Sequence, residues 1–221
     1  MTPPLGASVS RGRTRFAVRS PKAEGMCLCL FEHERERQVP MHRQGDLWLA
    51  DLPEDLTGAH YSYRASGEWA PEKGLWFDHA KLLVDPYALE LDRRFIQHPS
   101  LAVHGADTSG LVPRAVVPGK LAAVRKRKPC FTPGGLVYEL GVRGFTMRHP
   151  DVPPHLRGTV AALAEPAVIA HLKALHVSAV ELMPIVAWID ERHLPPLGLV
   201  NAWGYNPVAP MALDPGLCPG G

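Results

Sequence analysis

The sequence predicts a β-sandwich followed by a parallel β–α–β unit, on three observations. Between Arg15 and about Val84, short runs alternate apolar and polar residues and are separated by turn signals, the pattern of an antiparallel sandwich. Farther on, Leu136 to Leu140 and Val177 to Met183 are apolar, β-favouring runs closed by Gly141 and Pro184, and both read as buried strands. Between those two runs lies a helical pattern that opens at Glu165-Pro166.

In the first half the strands are Arg15-Phe16-Ala17-Val18, Met26 to Phe31, Leu47-Trp48-Leu49-Ala50 and Tyr61-Ser62-Tyr63-Arg64. Ser20-Pro21-Lys22 and Leu56-Thr57-Gly58 punctuate them. Glu32 to Gln38 alternates both charge signs, so it reads as a solvated hairpin and not as an acidic or nucleic-acid tail. Among the rings Trp48, Tyr61, Tyr63, Trp69, Trp76 and Tyr87, core packing competes with sugar stacking. Trp69 and Trp76 flank a Pro/Gly turn and are the exposed candidates.

From Leu89 to Thr132 no period survives, and Gly105 to Gly110 and Pro113 to Gly119 read as irregular linker. Arg125-Lys126-Arg127-Lys128 carries no interleaved aromatic, which favours a solvated loop over a nucleic-acid site. The predicted division is therefore a sandwich over 1–95, a linker over 96–133 and a third part over 134–221.

In that third part, Val168, Ile169, Leu172 and Leu175 fall on one helix face and Lys173 on the other. Two apolar strands joined by such a helix lie parallel with a right-handed crossover, and ligands bind beyond the strands' C-terminal ends. There the sequence places Arg143 and Phe145 after the first strand. After the second it places Trp188, Asp190, Arg192, His193, Asn201, Trp203, Tyr205 and Asn206. A connection of this length with no period predicts a functional loop.

Composition narrows the classes. In 221 residues, 46% are hydrophobic, which excludes a disordered chain, while 23 Pro and 20 Gly favour turns over a helical bundle. A net charge of +2 implies no polyanionic partner, so nucleic acid is not expected. Cys27 and Cys29 stand two apart in a strand and cannot readily bond each other, and Cys130 and Cys218 stand alone. No Cys/His zinc spacing occurs, and no run approaches the roughly 18 apolar residues of a membrane span. Free thiols and an N-terminus without a signal-peptide core predict a soluble, cytoplasmic protein with no membrane partner, no metal and no cofactor.

The segments YELGVRGFT, AEPAVIAHLKAL, VELMPI, DERHL and NAWGYNPV, in that order from Tyr138 to Val208, together resemble the start of the catalytic barrel of bacterial glycogen debranching enzymes of the isoamylase type, in the α-amylase clan. LGASVSRGRTRFAVRSP and FDHAKLLVDPYA resemble the opening and exit of the carbohydrate-binding-type module that precedes that barrel. The resemblance implies an immunoglobulin-like β-sandwich followed by an incomplete (β/α)₈ barrel, only its first β–α–β portion. It implies hydrolysis of α-1,6 branch linkages in glycogen, amylopectin or limit dextrin. Tyr205 would stack under the glucose at the cleavage subsite, with Trp203 and Asn206 helping to hold it. Gly141 and Ala202 depart from the family pattern, which often has a larger residue and a Tyr there.

Glycoside hydrolysis needs two carboxyl groups facing the scissile bond. The resembled family carries an Asp and a Glu after the fourth and fifth barrel strands and an Asp after the seventh, positions this chain does not reach. No catalytic residue is assigned. Glu139 and Glu181 lie within strands and are expected to be satisfied by a neighbouring Arg or backbone group; Asp190 and Glu191 are expected to shape their loop. There is no GxSxG elbow, and the 11 His form no HxxxH pair. The expectation is an inactive N-terminal portion of a debranching enzyme. A non-catalytic glucan-binding or regulatory module is the alternative, and complementation by a separately encoded remainder of the barrel is a third reading.

Overall fold

A computed structural model describes residues 4–33, 35–120, 123, 131 and 133–220. The basic run at 125–128 and Cys130 fall outside the described residues.

Seven strands form by Ser66: β1 (Gly6–Ser10), β2 (Arg13–Arg19), β3 (Gly25–Glu32), β4 (Arg35–Pro40), β5 (His42–Gln44), β6 (Leu47–Leu52) and β7 (His60–Ser66). A small hairpin, β8 (Trp69–Ala70) with β9 (Leu75–Trp76), and a late strand, β10 (Ala115–Val116), follow. They assemble as two antiparallel sheets, ordered β1-β2-β6-β5 and β10-β7-β3-β4. Alternation decides the faces. In β2, Thr14, Phe16 and Val18 are buried, while Arg15 and Arg19 point out and pair with Asp51 and Asp46, each at 2.7 Å. Between the sheets Phe16 meets Tyr61 edge-on at 4.9 Å, over Leu28, Leu30, Tyr63 and Trp48. The sandwich and all four of its sequence-predicted strands are present, and the charged hairpin forms between β3 and β4.

The stretch after the sandwich differs from the irregular linker predicted over Pro113 to Gly119. Ala115 and Val116 pair with Tyr61 and His60, and Val112, Ala115 and Val117 are buried. The short apolar run lacked a period because it supplies only two residues of ladder. Buried polar groups hold the preceding loops against the sheet. Arg64 donates to both Glu36 oxygens at 2.8 Å, to the Ala80 carbonyl at 2.6 Å and to Asp107 at 3.0 Å. The Lys81 ammonium donates to the carbonyls of Ser100, Val103 and Ala106. Asp85, wholly buried, accepts from the hydroxyls of Tyr61 and Tyr63 at 2.8 and 3.2 Å.

The last part contains β11 (Leu136–Leu140), α1 (Val142–Thr146), α2 (Pro166–Ala174), β12 (Val177–Leu182), β13 (Val186–Trp188) and β14 (Pro207–Leu213). β11 and β12 are parallel, with α2 between them in sequence, as the β–α–β pattern predicts. Their burial corrects the prediction of buried strands: Leu136, Val137 and Val180 are 48%, 45% and 40% exposed. Only Leu140 in this pair is buried, because each strand has one neighbour and little covers the faces. The apolar helix face is likewise split, with Val168 buried and Ile169 and Leu175 exposed. Glu139 and Glu181, directly opposite in register, are exposed and make no hydrogen bond or ion pair to a described residue, so the expected satisfaction by Arg or backbone is absent. β13 and β14 form an antiparallel ribbon that sequence reading missed, and its Ala187, Ala209 and Ala212 join the sandwich's own core cluster.

Candidate functional site

The ribbon's connecting loop is built around Asn201, which is 8% exposed. Its backbone N–H donates to Asp190 Oδ1 at 2.8 Å and its side-chain amide to Glu191 Oε1 at 3.0 Å. Its own Oδ1 accepts from the N–H groups of Trp203 and Gly204, both at 2.9 Å. Asp190 and Glu191 thus shape the loop, as the sequence suggests. Gly204 has φ +77°, and a Cβ there would lie 3.0 Å from the Pro184 carbonyl oxygen and 3.1 Å from the Trp188 ring. Only glycine lets the turn close so tightly on the end of the preceding strand. The flanking rings remain outside: Trp203 is 69% and Tyr205 60% exposed.

Beyond the C-terminal ends of β11 and β12 a cavity of about 490 Å³ opens, walled by Arg94, Arg143, Trp188, Asn201, Trp203 and Asp214, among others. A neighbouring cavity of about 580 Å³ is walled in part by Asp190, Glu191, Arg192 and Asn206. The three sequence-predicted contact residues are therefore not brought to one wall. Trp203 lines the first cavity, Asn206 the second, and Tyr205 stands outside both.

Two charged residues of the first cavity, Asp214 and Arg94, were not singled out from sequence. Asp214 is 1% exposed; its carboxylate accepts from the Gly216 N–H at 2.9 Å and, at the limit of a hydrogen bond, from the Trp188 N–H at 3.5 Å. Burial pushes its carboxyl pKa up, against the pull of the nearby Arg94 and of those N–H donors. Its Asp-Pro-Gly context carries a turn signal, readable as a cap but not as a cavity wall. Arg94 reaches in from the segment that leaves the sandwich, a contact between residues far apart in sequence that no local pattern announces. Its Cζ lies 5.1 Å from the Trp188 ring centroid and its Nε 3.3 Å from Asp214 Oδ1.

Chemically, this wall can bind through one large exposed ring, two guanidinium groups and polar loop atoms. Asp214 is its one carboxylate, already engaged. Among the described residues no group of three or more His, Cys, Asp or Glu could hold a metal ion, and no helix is long and apolar enough to cross a membrane. On the sandwich, Trp69 and Trp76 meet edge to face at 5.5 Å across the small hairpin, with His104 4.2 Å from Trp69; Trp76 is 63% exposed. Of the other rings weighed between core and sugar, Trp48, Tyr61 and Tyr63 are buried and Tyr87 is 39% exposed.

Comparison with known proteins bears on both halves. Residues 4–88 match carbohydrate-binding module 48, the isoamylase N-terminal domain. A glycogen debranching enzyme of Yersinia pseudotuberculosis is 42% identical over 225 residues, covering 96% of this chain and 33% of the relative. One from Yersinia enterocolitica is 40% identical with the same coverage. The chain thus spans about a third of the length of the curated relatives it matches. Among solved structures, a pullulanase from Anoxybacillus sp. complexed with maltotetraose superposes with a TM-score of 0.70 at 24% identity, covering 97% of this chain and 30% of that one. A pneumococcal glycogen-degrading virulence factor gives a TM-score of 0.72 at 19% identity, covering 98% of this chain and 24% of that one.

Proposed function

We infer that this chain, which is homologous to the glycogen debranching enzymes and carries their carbohydrate-binding-type sandwich, is the sandwich and first barrel portion of a glycoside hydrolase acting on α-1,6 branch linkages of α-glucans. The observation that carries the inference is the 42% identity extending over 96% of the chain, through sandwich and C-terminal part alike. In this reading β11, α2 and β12 are the first β–α–β portion of a (β/α)₈ barrel, and the open edges of β11 and β12 await further strands. The loop from Ile189 to Asn206 lies beyond a strand's C-terminal end, where such barrels place their sites. Trp203 supplies a flat apolar face for the C–H groups of a glucose ring, and Tyr205 and Asn206 extend the surface along the glucan.

The described residues provide binding without bond cleavage. A retaining glycosidase sets its two carboxyl groups about 5–5.5 Å apart, and an inverting one about 6.5–9.5 Å. The cavity offers Asp214 alone, held by N–H donors and beside a cation, so no acid–nucleophile pair faces a bond. The 221-residue polypeptide is therefore expected to release no linear glucan from glycogen, while retaining measurable affinity for maltotetraose. Trp203→Ala is expected to weaken that affinity about tenfold, the order for one stacked ring. Hydrolysis by the polypeptide alone, or wild-type and Trp203→Ala titrations that coincide, would refute the respective half of the proposal.

A further inference from the structure

We propose that Arg94 is a glucan-binding residue of the cavity beyond the ends of β11 and β12: pinned between Trp188 and Asp214, it presents its terminal guanidinium nitrogens to sugar hydroxyls. The proposal rests on reading that cavity as an α-glucan site, and adds a contact supplied by the segment that leaves the sandwich.

The neighbouring Arg93 shows what a purely structural arginine does here. Its terminal nitrogens donate to the carbonyls of Ser109 and Val112 and to the Asp92 carboxylate, so both are engaged within the fold, although its buried Nε has no hydrogen-bond partner among the described residues. Arg94 behaves differently. Its Nε is shut away from solvent 3.3 Å from Asp214 Oδ1, off the line of a hydrogen bond, and its terminal nitrogens make no hydrogen bond to any described residue. Yet its side chain is 39% exposed in the cavity wall. A guanidinium with both terminal nitrogens open is costly to leave unanswered, unless a solute or solvent oxygen meets them.

The side chain is also held in place. The Trp188 ring lies against the guanidinium, the Asp214 carboxylate lies beside Nε, and a Cβ on Gly216 would come within 3.2 Å of Arg94 Cδ. The backbone behind it is fixed by the bond from the Asp92 N–H to the Arg114 carbonyl at 3.0 Å and by that from the Arg114 N–H to Asp92 Oδ1 at 2.7 Å. Little rotamer freedom is left to lose on binding, which is the condition for a flexible side chain to contribute affinity. The rest of the wall adds a second guanidinium, that of Arg143. Its one carboxylate is occupied by other groups. The complement of such a wall is a neutral guest dense in acceptor oxygens with apolar C–H faces, as a malto-oligosaccharide is.

Titration of the full chain with maltotetraose, followed by calorimetry, tests the assignment. Removing a charge-assisted donor predicts that Arg94→Ala weakens binding about tenfold or more, and that Arg94→Lys, which keeps the charge but not the fork, falls between. Because Arg94→Ala strands the buried Asp214, the double variant Arg94→Ala/Asp214→Asn separates contact from bracing. Affinity still about tenfold down in the double variant, with its melting temperature recovered, supports the contact. Recovery to within about twofold of the Asp214→Asn single variant means that Arg94 only braces Asp214, and overturns the assignment while leaving the glucan reading intact. A wild-type chain that shows no saturable binding overturns both. Should Arg94→Ala fail to fold, the lysine and double variants carry the same decision.

Discussion

The central pair of the sandwich, β3 and β7, and the parallel pair, β11 and β12, are both read from sequence as strands, and their fates differ. In β3, Leu28 and Cys29 are fully buried, with Leu30 and Phe31 nearly so; in β11, Val137 is 45% exposed. The apolar content of GMCLCLFE and LVYEL does not explain this. Coverage does: β3 has a neighbour on each edge and a second sheet across its face, while β11 has β12 alone. Apolar sequence marks a strand as ready to be buried, and the surrounding layers decide whether it is.

That contrast can be broken by paired truncations. Leu28→Ala removes a wholly enclosed side chain and is expected to cost about 3 kcal/mol in urea unfolding, whereas Val137→Ala is expected to stay within about 0.5 kcal/mol. Equal losses would mean that the parallel pair is covered in solution. A second, smaller effect sharpens the sandwich side. The Arg64 guanidinium holds the Glu36 carboxyl down at about 2, below the usual carboxylate range near 4.3. A depressed value means that the ion pair stabilises fully above the unfolded-state value and that this stabilisation is lost as pH falls toward 2. Glu36→Gln should therefore cost about 2 kcal/mol at pH 7, and the gap to wild type should close between about pH 4.5 and 2. A gap that persists at pH 2 would assign the loss to packing. The smallest effect lies on the parallel side: Glu181→Gln, by relieving the like charge of Glu139 opposite, should stabilise by a few tenths of a kcal/mol, more at low salt than at high.

How much could be read from sequence follows from the same physics. Alternation with period two located β2, β3, β6 and β7 because one face of each meets a partner sheet. Segments too short to show a period, such as Ala115-Val116 and Val186–Trp188, were invisible although both pair. The loop residues Asp190 and Glu191 were legible as loop-shapers because they stand beside Arg192 in an aperiodic connection, and the structure supplies Asn201 as their partner. Arg94 was not: a cation in an aperiodic stretch looks solvated until folding sets Trp188 and Asp214 beside it. Local pattern found the ring of Trp203, and three-dimensional closure was needed to find the wall behind it.

The three alanines that carry the ribbon into the sandwich core have a mechanical consequence. Ala187, Ala209 and Ala212 present methyl groups where most cores place longer side chains, so the ribbon's main chain packs close against the sandwich core. Polypeptides joined by polar seams can swing; these two are keyed together. The loop from Ile189 to Asn206, which the ribbon carries, is consequently anchored to the sandwich, and grafting a foreign sandwich onto such a protein would require accommodating three methyl groups as well as supplying a fold of the right outline.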